Sequence, residues 1–178
     1  NNELPEPEHI FVPVGSCSTL AGLTLGAKLC GLNSKVVGIR VAPAYLGPFP
    51  ACTAGEVNKV ITQAAKQMQS WGISDLGRIP TCTFSDDFYG EGYGIASESS
   101  EKAIIRFKEL GIKLENTYTG KAAAAFIEQL KRNDKPQLFW QTFNSANALL
   151  KAQEETQLNK DHHTEYPLST AISQYLAG

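Results

Sequence analysis

Two short apolar runs, Ile10-Phe11-Val12-Pro13-Val14 and Lys35-Val36-Val37-Gly38-Ile39-Arg40-Val41, stand on either side of a single helical-period stretch. Runs that are apolar at consecutive positions, not alternate ones, suit strands covered on both faces. Between them Gly15-Ser16-Cys17-Ser18-Thr19 interrupts the first run. Leu20, Leu23, Leu25 and Ala27 then recur at near-helical spacing from about Thr19 to Cys30, and Gly31-Leu32-Asn33 supplies a stop. Strand, tight loop, helix and strand in that order require a crossover, and crossovers join parallel strands. In such a loop, backbone N–H groups and hydroxyls converge on the positive end of the new helix, which makes a cradle for a phosphate. The same residues also serve an ordinary strand-to-helix turn capped by a hydroxyl, and the loop by itself leaves both readings open.

The alternation continues along the chain. Pro43, Gly47, Pro48 and Pro50 predict a loop. The spacing predicts a helix from about Ala54 to Trp71, with Val57, Val60, Ile61, Ala64, Ala65 and Met68 on one face and Gly72 ending it. A turn over 75–80, a short strand Thr81–Phe84 and a Gly- and Tyr-rich loop from Ser85 to Gly94 follow. Ser97 or Ser99 caps the next helix, which is expected to bury Ala103, Ile104, Phe107 and Leu110 before Gly111. Thr117–Lys121 opens a helix from Ala122 to about Lys131, Gln137–Thr142 reads as a strand, and Phe143-Asn144-Ser145 leads into a short helix. The expected fold class is therefore α/β, three layers with a mainly parallel sheet, occupying residues 1–152. Residues 153–178 read as a polar connection with His162-His163 and a terminal helix over 168–176. The histidine pair has no cysteine or carboxylate at ligand spacing, so no metal site is expected there.

A chain of 178 residues with a formal charge of −2 and a pI near 5.9 gives no electrostatic reason to expect nucleic acid or an anionic membrane as partner. No apolar run approaches the ~20 residues that span a bilayer, and no signal-peptide pattern opens the chain, so a cytoplasmic protein is expected. Cys17, Cys30, Cys52 and Cys82 lack Cys-x-x-Cys spacing and read as reduced thiols. Cys17 stands apart, because a thiol at a helix N-terminus has a lowered pKa; with no histidine near it in sequence it reads first as a loop residue. The chain opens Asn1-Asn2-Glu3 and Met68 is its sole methionine, so a processed or partial polypeptide is expected.

In open parallel sheets, ligands bind beyond the C-terminal strand ends. Residues 15–19, 85–94, 117–121 and 142–145 all fall there, and their shared edge is the expected site. Together these stretches resemble the fold-type-II pyridoxal-phosphate enzymes, and most of all the branch containing D-cysteine desulfhydrase and 1-aminocyclopropane-1-carboxylate deaminase. Val14-Gly15-Ser16-Cys17-Ser18-Thr19-Leu20-Ala21-Gly22 resembles the family's phosphate loop, followed at the right distance by Val37-Gly38-Ile39. Gly92-Tyr93-Gly94 and Glu115-Asn116-Thr117-Tyr118-Thr119-Gly120-Lys121-Ala122 carry the rest of the match, whose order and spacing agree over about residues 9–145.

The resemblance implies the large, cofactor-binding domain of such an enzyme. Pyridoxal 5'-phosphate would be held through its phosphate by Gly15, Ser16, Cys17, Ser18 and Thr19. Tyr93 and Tyr118 match the two active-site tyrosines, one near the substrate and one against the pyridine ring; read without the resemblance, they are half-buried loop packing. The deaminase branch has a glutamate after the second tyrosine, which keeps the pyridine nitrogen protonated. Thr119 cannot hold that proton, and Thr142 matches a threonine of the desulfhydrases. The resemblance thus implies β-elimination from a small amino acid such as D-cysteine, ahead of opening of the cyclopropane ring.

Two departures stand out. Relatives have a pair of glycines where this chain has Phe143-Asn144, which bears on substrate size and ring placement, and Cys17 stands where the loop often has glycine. The lysine that anchors the family's cofactor lies near the N-terminus, and nothing here matches it; the substrate-carboxylate loop of the small domain is missing too. Lys121 is not that lysine and, opening a helix, is expected at the surface or just behind the site; its Gly-Lys pair lacks the spacing of a Walker loop. The chain is accordingly expected to be the C-terminal portion of such an enzyme, inactive alone, partnered by its N-terminal portion and, as relatives commonly are, in a homodimer. A non-catalytic ligand-binding or dimerisation module is the alternative from another class. A dinucleotide-binding Rossmann domain is disfavoured, since Gly15–Gly22 lacks Gly-x-Gly-x-x-Gly and Arg40-Val41 stands where an acid is needed.

Overall fold

The computed structural model describes residues 5–73 and 77–142. In chain order these form β1 (His9–Val14), α1 (Ser18–Leu29), β2 (Lys35–Arg40), β3 (Tyr45–Leu46), β4 (Phe49–Pro50), α2 (Ala54–Ser70), β5 (Thr83–Ser85), α3 (Glu98–Glu109), α4 (Thr119–Leu130) and β6 (Gln137–Phe139). Four strands make one parallel sheet in the order β5-β2-β1-β6, while β3 and β4 form a separate antiparallel hairpin. β1 is central, in register with β2 from His9↔Lys35 to Val14↔Arg40 and with β6 from His9↔Gln137 to Phe11↔Phe139.

The two faces of β1 explain its unbroken apolar run. Ile10, Val12 and Val14 pack with Leu20 and Ala21 of α1 and Val57 and Ile61 of α2. Phe11 packs the other way, with Ile39, Ala122 and Ala125, under α4. Helices thus cover both faces of a parallel sheet, which is the α/β architecture the alternation predicts. Gly38 lets α1 lie close on the sheet: a Cβ there would stand 2.7 Å from Val14 Cγ2 and run into Leu20.

Pro13 is an unusual residue for a central strand, since it has no N–H for the ladder. Val14 O accepts from Val41 N at 3.1 Å on the β2 side, and Phe11 O accepts from Trp140 N at 2.8 Å on the β6 side. By alternation the Pro13 backbone faces the β6 side, past the last pair of the β1·β6 ladder, so the missing donor costs no sheet hydrogen bond. The strand order reverses direction at this same place, with β1, β2 and β5 added one way and β6 the other. Such a switch point is where open α/β sheets form their ligand crevice.

Several elements differ in extent from the spacing's expectation. β5 starts two residues later and ends one later, with Cys82 N donating to Asn58 Oδ1 of α2 at 2.9 Å before it. Ser97, not Ser99, caps α3, in a reciprocal box with Ser100. Leu110 lies at the end of α3 and is 64 % exposed, not buried, because the helix closes there. α4 begins at Thr119, three residues ahead of Ala122, and β6 ends at Phe139. The expectations for Phe143-Asn144-Ser145, the helix after it, the boundary at 152/153, His162-His163 and the terminal helix lie outside the described residues, as does part of the turn over 75–80. Among the described residues no helix is long and apolar enough to cross a membrane.

Candidate active site

The loop after β1 and the start of α4 meet at the C-terminal edge of the sheet. The Tyr118 ring lies directly over Gly15: a Cβ at position 15 would stand 3.0 Å from Tyr118 Cε1 and 3.6 Å from its hydroxyl oxygen. Tyr118 in turn shares a hydrogen bond of 2.9 Å with the Tyr93 hydroxyl, the two rings standing edge to face at 6.0 Å. Tyr93 is 50 % exposed and Tyr118 37 %, so the pair presents a polar edge to solvent. The hydrogen bond to Tyr93, and after it burial, push the Tyr118 pKa up to about 12. At neutral pH its hydroxyl is protonated, and the raised pKa fits Tyr118 as the donor of that bond, which leaves its oxygen as an acceptor.

Gly15 is half-buried, and Ser16, Ser18 and Thr19 are exposed at the N-terminal turn of α1. That turn carries no acidic residue and no side-chain cap, so its leading N–H groups face outward without a competing carboxylate. Ser18 Oγ makes a long contact of 3.4 Å to Ser16 O. Cys17 is the N-cap, with φ 69° in the left-handed region; among the described residues it is the one non-glycine with positive φ. That conformation is the reason glycine suits this position.

The Cys17 side chain points into the core and is 4 % exposed, its Sγ donating to Ala51 O at 3.5 Å. Only its backbone belongs to the loop surface. Burial pushes the thiol pKa up, the reverse of the lowering expected at a helix N-terminus, because desolvation outweighs the opposing hydrogen bond with the Thr53 backbone. Cys52, whose Sγ donates to Val14 O at 3.1 Å, is pushed up to about 11 by the same cause. All four cysteines are free thiols.

Thr119 is fully buried. Its Oγ1 accepts from Glu115 N at 3.0 Å and donates to Glu115 Oε1 at 3.1 Å. The hydroxyl expected to face a cofactor is thus engaged by Glu115, and what position 119 offers a ring is the lack of a carboxylate more than a contact. Thr142 lies exposed just beyond β6, on the same sheet edge.

Three residues that organise this edge were not picked out as site groups from sequence. Glu115 accepts from the backbone N–H groups of Thr117, Tyr118 and Thr119 at 2.7 to 2.9 Å, and so caps α4 from four residues upstream. Arg40, at the end of β2, pairs with Asp86 and lies 3.8 Å from the centroid of the Tyr89 ring. Lys121 is fully buried, so of the two placements expected for it, at the surface or just behind the site, the surface one does not hold. An acid four residues ahead of a Thr-Gly pair was a readable capping signal; the other two depend on contacts far away in sequence.

No family model matches the chain. A Thermotoga maritima protein named for 1-aminocyclopropane-1-carboxylate deaminase is 30 % identical over 138 residues, covering 76 % of this chain and 40 % of that protein. A D-cysteine desulfhydrase of Klebsiella pneumoniae is 27 % identical over 145 residues, covering 77 % of this chain and 40 % of its own length. The crystal structure of a homologue of the deaminase superposes with a TM-score of 0.62 at 22 % identity, over 78 % of this chain and 40 % of that one. The chain therefore spans about two-fifths of the relatives it matches. In sequence and in fold it is a homologue of the proteins named 1-aminocyclopropane-1-carboxylate deaminase and D-cysteine desulfhydrase.

Proposed function

We propose that this chain is the phosphate-holding portion of a pyridoxal-phosphate-dependent lyase or deaminase of small amino acids, with D-cysteine β-elimination favoured over cyclopropane ring opening. One observation carries the reading: Tyr118 lies over Gly15 while bonded to Tyr93, so the three motifs converge just past the C-terminal end of β1. The cradle suits a phosphate monoester, having exposed hydroxyls at Ser16, Ser18 and Thr19, an outward-facing helix N-terminus and no acid in the first turn. When bound, the cofactor supplies an electron sink for charge developing at the substrate's α-carbon.

The chain's own residues bind and orient. The loop holds the phosphoryl group, and the Tyr93–Tyr118 hydroxyl pair, one proton of which is used in their mutual bond, has the other to donate at the ring or substrate. Phosphate affinity here comes from charge-assisted bonds, which are about twice as strong as neutral ones. Lys121 is unsuited to anchor the cofactor, as its Nζ is buried and donates to two carbonyls. On this reading the anchoring lysine and the substrate-carboxylate loop come from a further N-terminal portion, in agreement with the two-fifths coverage of relatives, and the working enzyme is a cytoplasmic homodimer. The preference for elimination rests on position 119, which lacks a carboxylate, and on Thr142.

The test uses pyridoxine 5'-phosphate, which has no aldehyde to react with surface lysines. Calorimetric titration of the 178-residue chain is expected to show binding, and dephosphorylated pyridoxine none. Ser18→Ala should weaken binding roughly tenfold, for a lost charge-assisted bond of about 1.5 kcal/mol, and Gly15→Ala should weaken it by displacing Tyr118. Equal binding of both compounds, or indifference to both substitutions, refutes the cradle. Release of pyruvate from D-cysteine, against 2-oxobutyrate from the cyclopropane amino acid, by the lysine-bearing complete enzyme decides the reaction.

A further inference from the structure

Lys121, on the first turn of α4, is 0 % exposed, and its Nζ donates to Tyr89 O at 2.6 Å and to Gly92 O at 2.7 Å. The ammonium stands 5.0 Å from the centroid of the Tyr89 ring. Among the described residues no ion pair reaches it. A buried ammonium without an acid is costly, and here the carbonyl dipoles and the ring are what offset that cost. A group kept at such expense is tied to the segment it grips. Gly92 immediately precedes Tyr93, and Tyr118, the N-cap of α4, stands three residues before Lys121. The bond to Gly92 therefore holds the Tyr93 backbone against the turn that carries Tyr118. Arg40 secures the other end of the loop, paired with Asp86 and stacked on Tyr89.

We propose that Lys121 is the positioning residue of the tyrosine pair: its two bonds to the 89–92 backbone place Tyr93 where its hydroxyl meets that of Tyr118. Its bearing on catalysis rests on the function proposed above; its hold on the loop does not.

The test compares Lys121→Met with wild type and with Tyr93→Phe, each in the 178-residue chain with far-UV circular dichroism confirming the fold. Tyrosinate absorbance is followed against pH, and amide exchange is followed over residues 86–94. In wild type one tyrosine is expected to titrate near 12, the value that the Tyr93 hydrogen bond imposes on Tyr118. Lys121→Met is expected to lose that late titration as Tyr93→Phe does, with the amides of 89–93 exchanging at least about tenfold faster. If Lys121→Met is folded and merely less stable, with the late tyrosine and the loop protection unchanged, the proposal is overturned. Should the variant not fold, wild type decides: at low temperature the Lys121 ammonium protons should be visible by NMR, with cross-peaks to Tyr89 and Gly92. An ammonium exchanging as fast as surface lysines overturns the proposal. Loss of pyridoxine phosphate binding with these loop readouts intact would instead reject the cofactor reading and leave this one standing.

Discussion

Cys17 combines two features that pull in opposite directions. Its backbone sits in the left-handed region, which costs a residue with a Cβ about 1–2 kcal/mol, while its side chain is buried against Ala51 and Cys52, which offsets part of that cost. The sequence showed a cysteine in a place suited to glycine. It could not show that the thiol turns inward, because the groups that receive it lie 34 residues further on. A raised pKa leaves less thiolate at neutral pH, so Cys17, Cys52 and Cys82 should react slowly with a thiol reagent. Labelling at pH 7 followed by peptide mass analysis is expected to modify exposed Cys30 first, half-buried Cys82 more slowly, and buried Cys17 and Cys52 only on unfolding. Early modification of Cys17 contradicts the inward orientation.

The start of α4 shows how an element is decided by a residue outside it. Periodicity placed the first turn at Ala122, since Thr119-Gly120-Lys121 is neither apolar nor amphipathic. Glu115 accepts hydrogen bonds from the N–H groups of 117, 118 and 119 and so begins the helix three residues earlier. Gly120 is required by the fit: a Cβ there would stand 2.9 Å from Glu115 O and 2.9 Å from Ile104 Cδ1 of α3. Glu115→Ala is expected to cost about 1–2 kcal/mol in urea unfolding, as for loss of a strong N-cap, and Glu115→Gln roughly half as much because one acceptor oxygen remains. A Glu115→Ala chain as stable as wild type would mean that the cap contributes nothing. For α3 the capping signal lies in the residue next to the helix, Ser97, and was read from sequence, whereas the acid that caps α4 stands four residues ahead of it and was passed over.

At the scale of the molecule, two groups at the site tie stability to alkaline pH with opposite signs. Tyr118 has a folded pKa raised from 10.0 to about 12, so its contribution is complete below pH 10 and is lost as pH rises through 12. Burial lowers the pKa of Lys121 below 10.5; above that lowered value the unfolded chain holds a proton that the folded one has shed, and stability rises with pH until the unfolded lysine also titrates. Tyr93→Phe removes the first effect and leaves the second. Urea midpoints measured between pH 9 and pH 11.5 should therefore fall more steeply for wild type than for Tyr93→Phe above pH 10, and parallel curves would mean that the tyrosine pair is not formed in solution.

Read alone, the residues determined the alternation of strands and helices, the parallel sheet and the loops that gather at one edge, because each of these follows from local periodicity and from turn residues a few positions apart. Pro13 read as a strand residue without any sign of where its missing donor would fall. Only the tertiary structure decided that β6 returns on the far side of β1, that Tyr118 closes over Gly15 while bonded to Tyr93, and that Lys121 is buried beneath the tyrosine loop. Those facts depend on pairings between segments 25 to 128 residues apart, and such pairings are set by how whole faces pack, which no local pattern encodes.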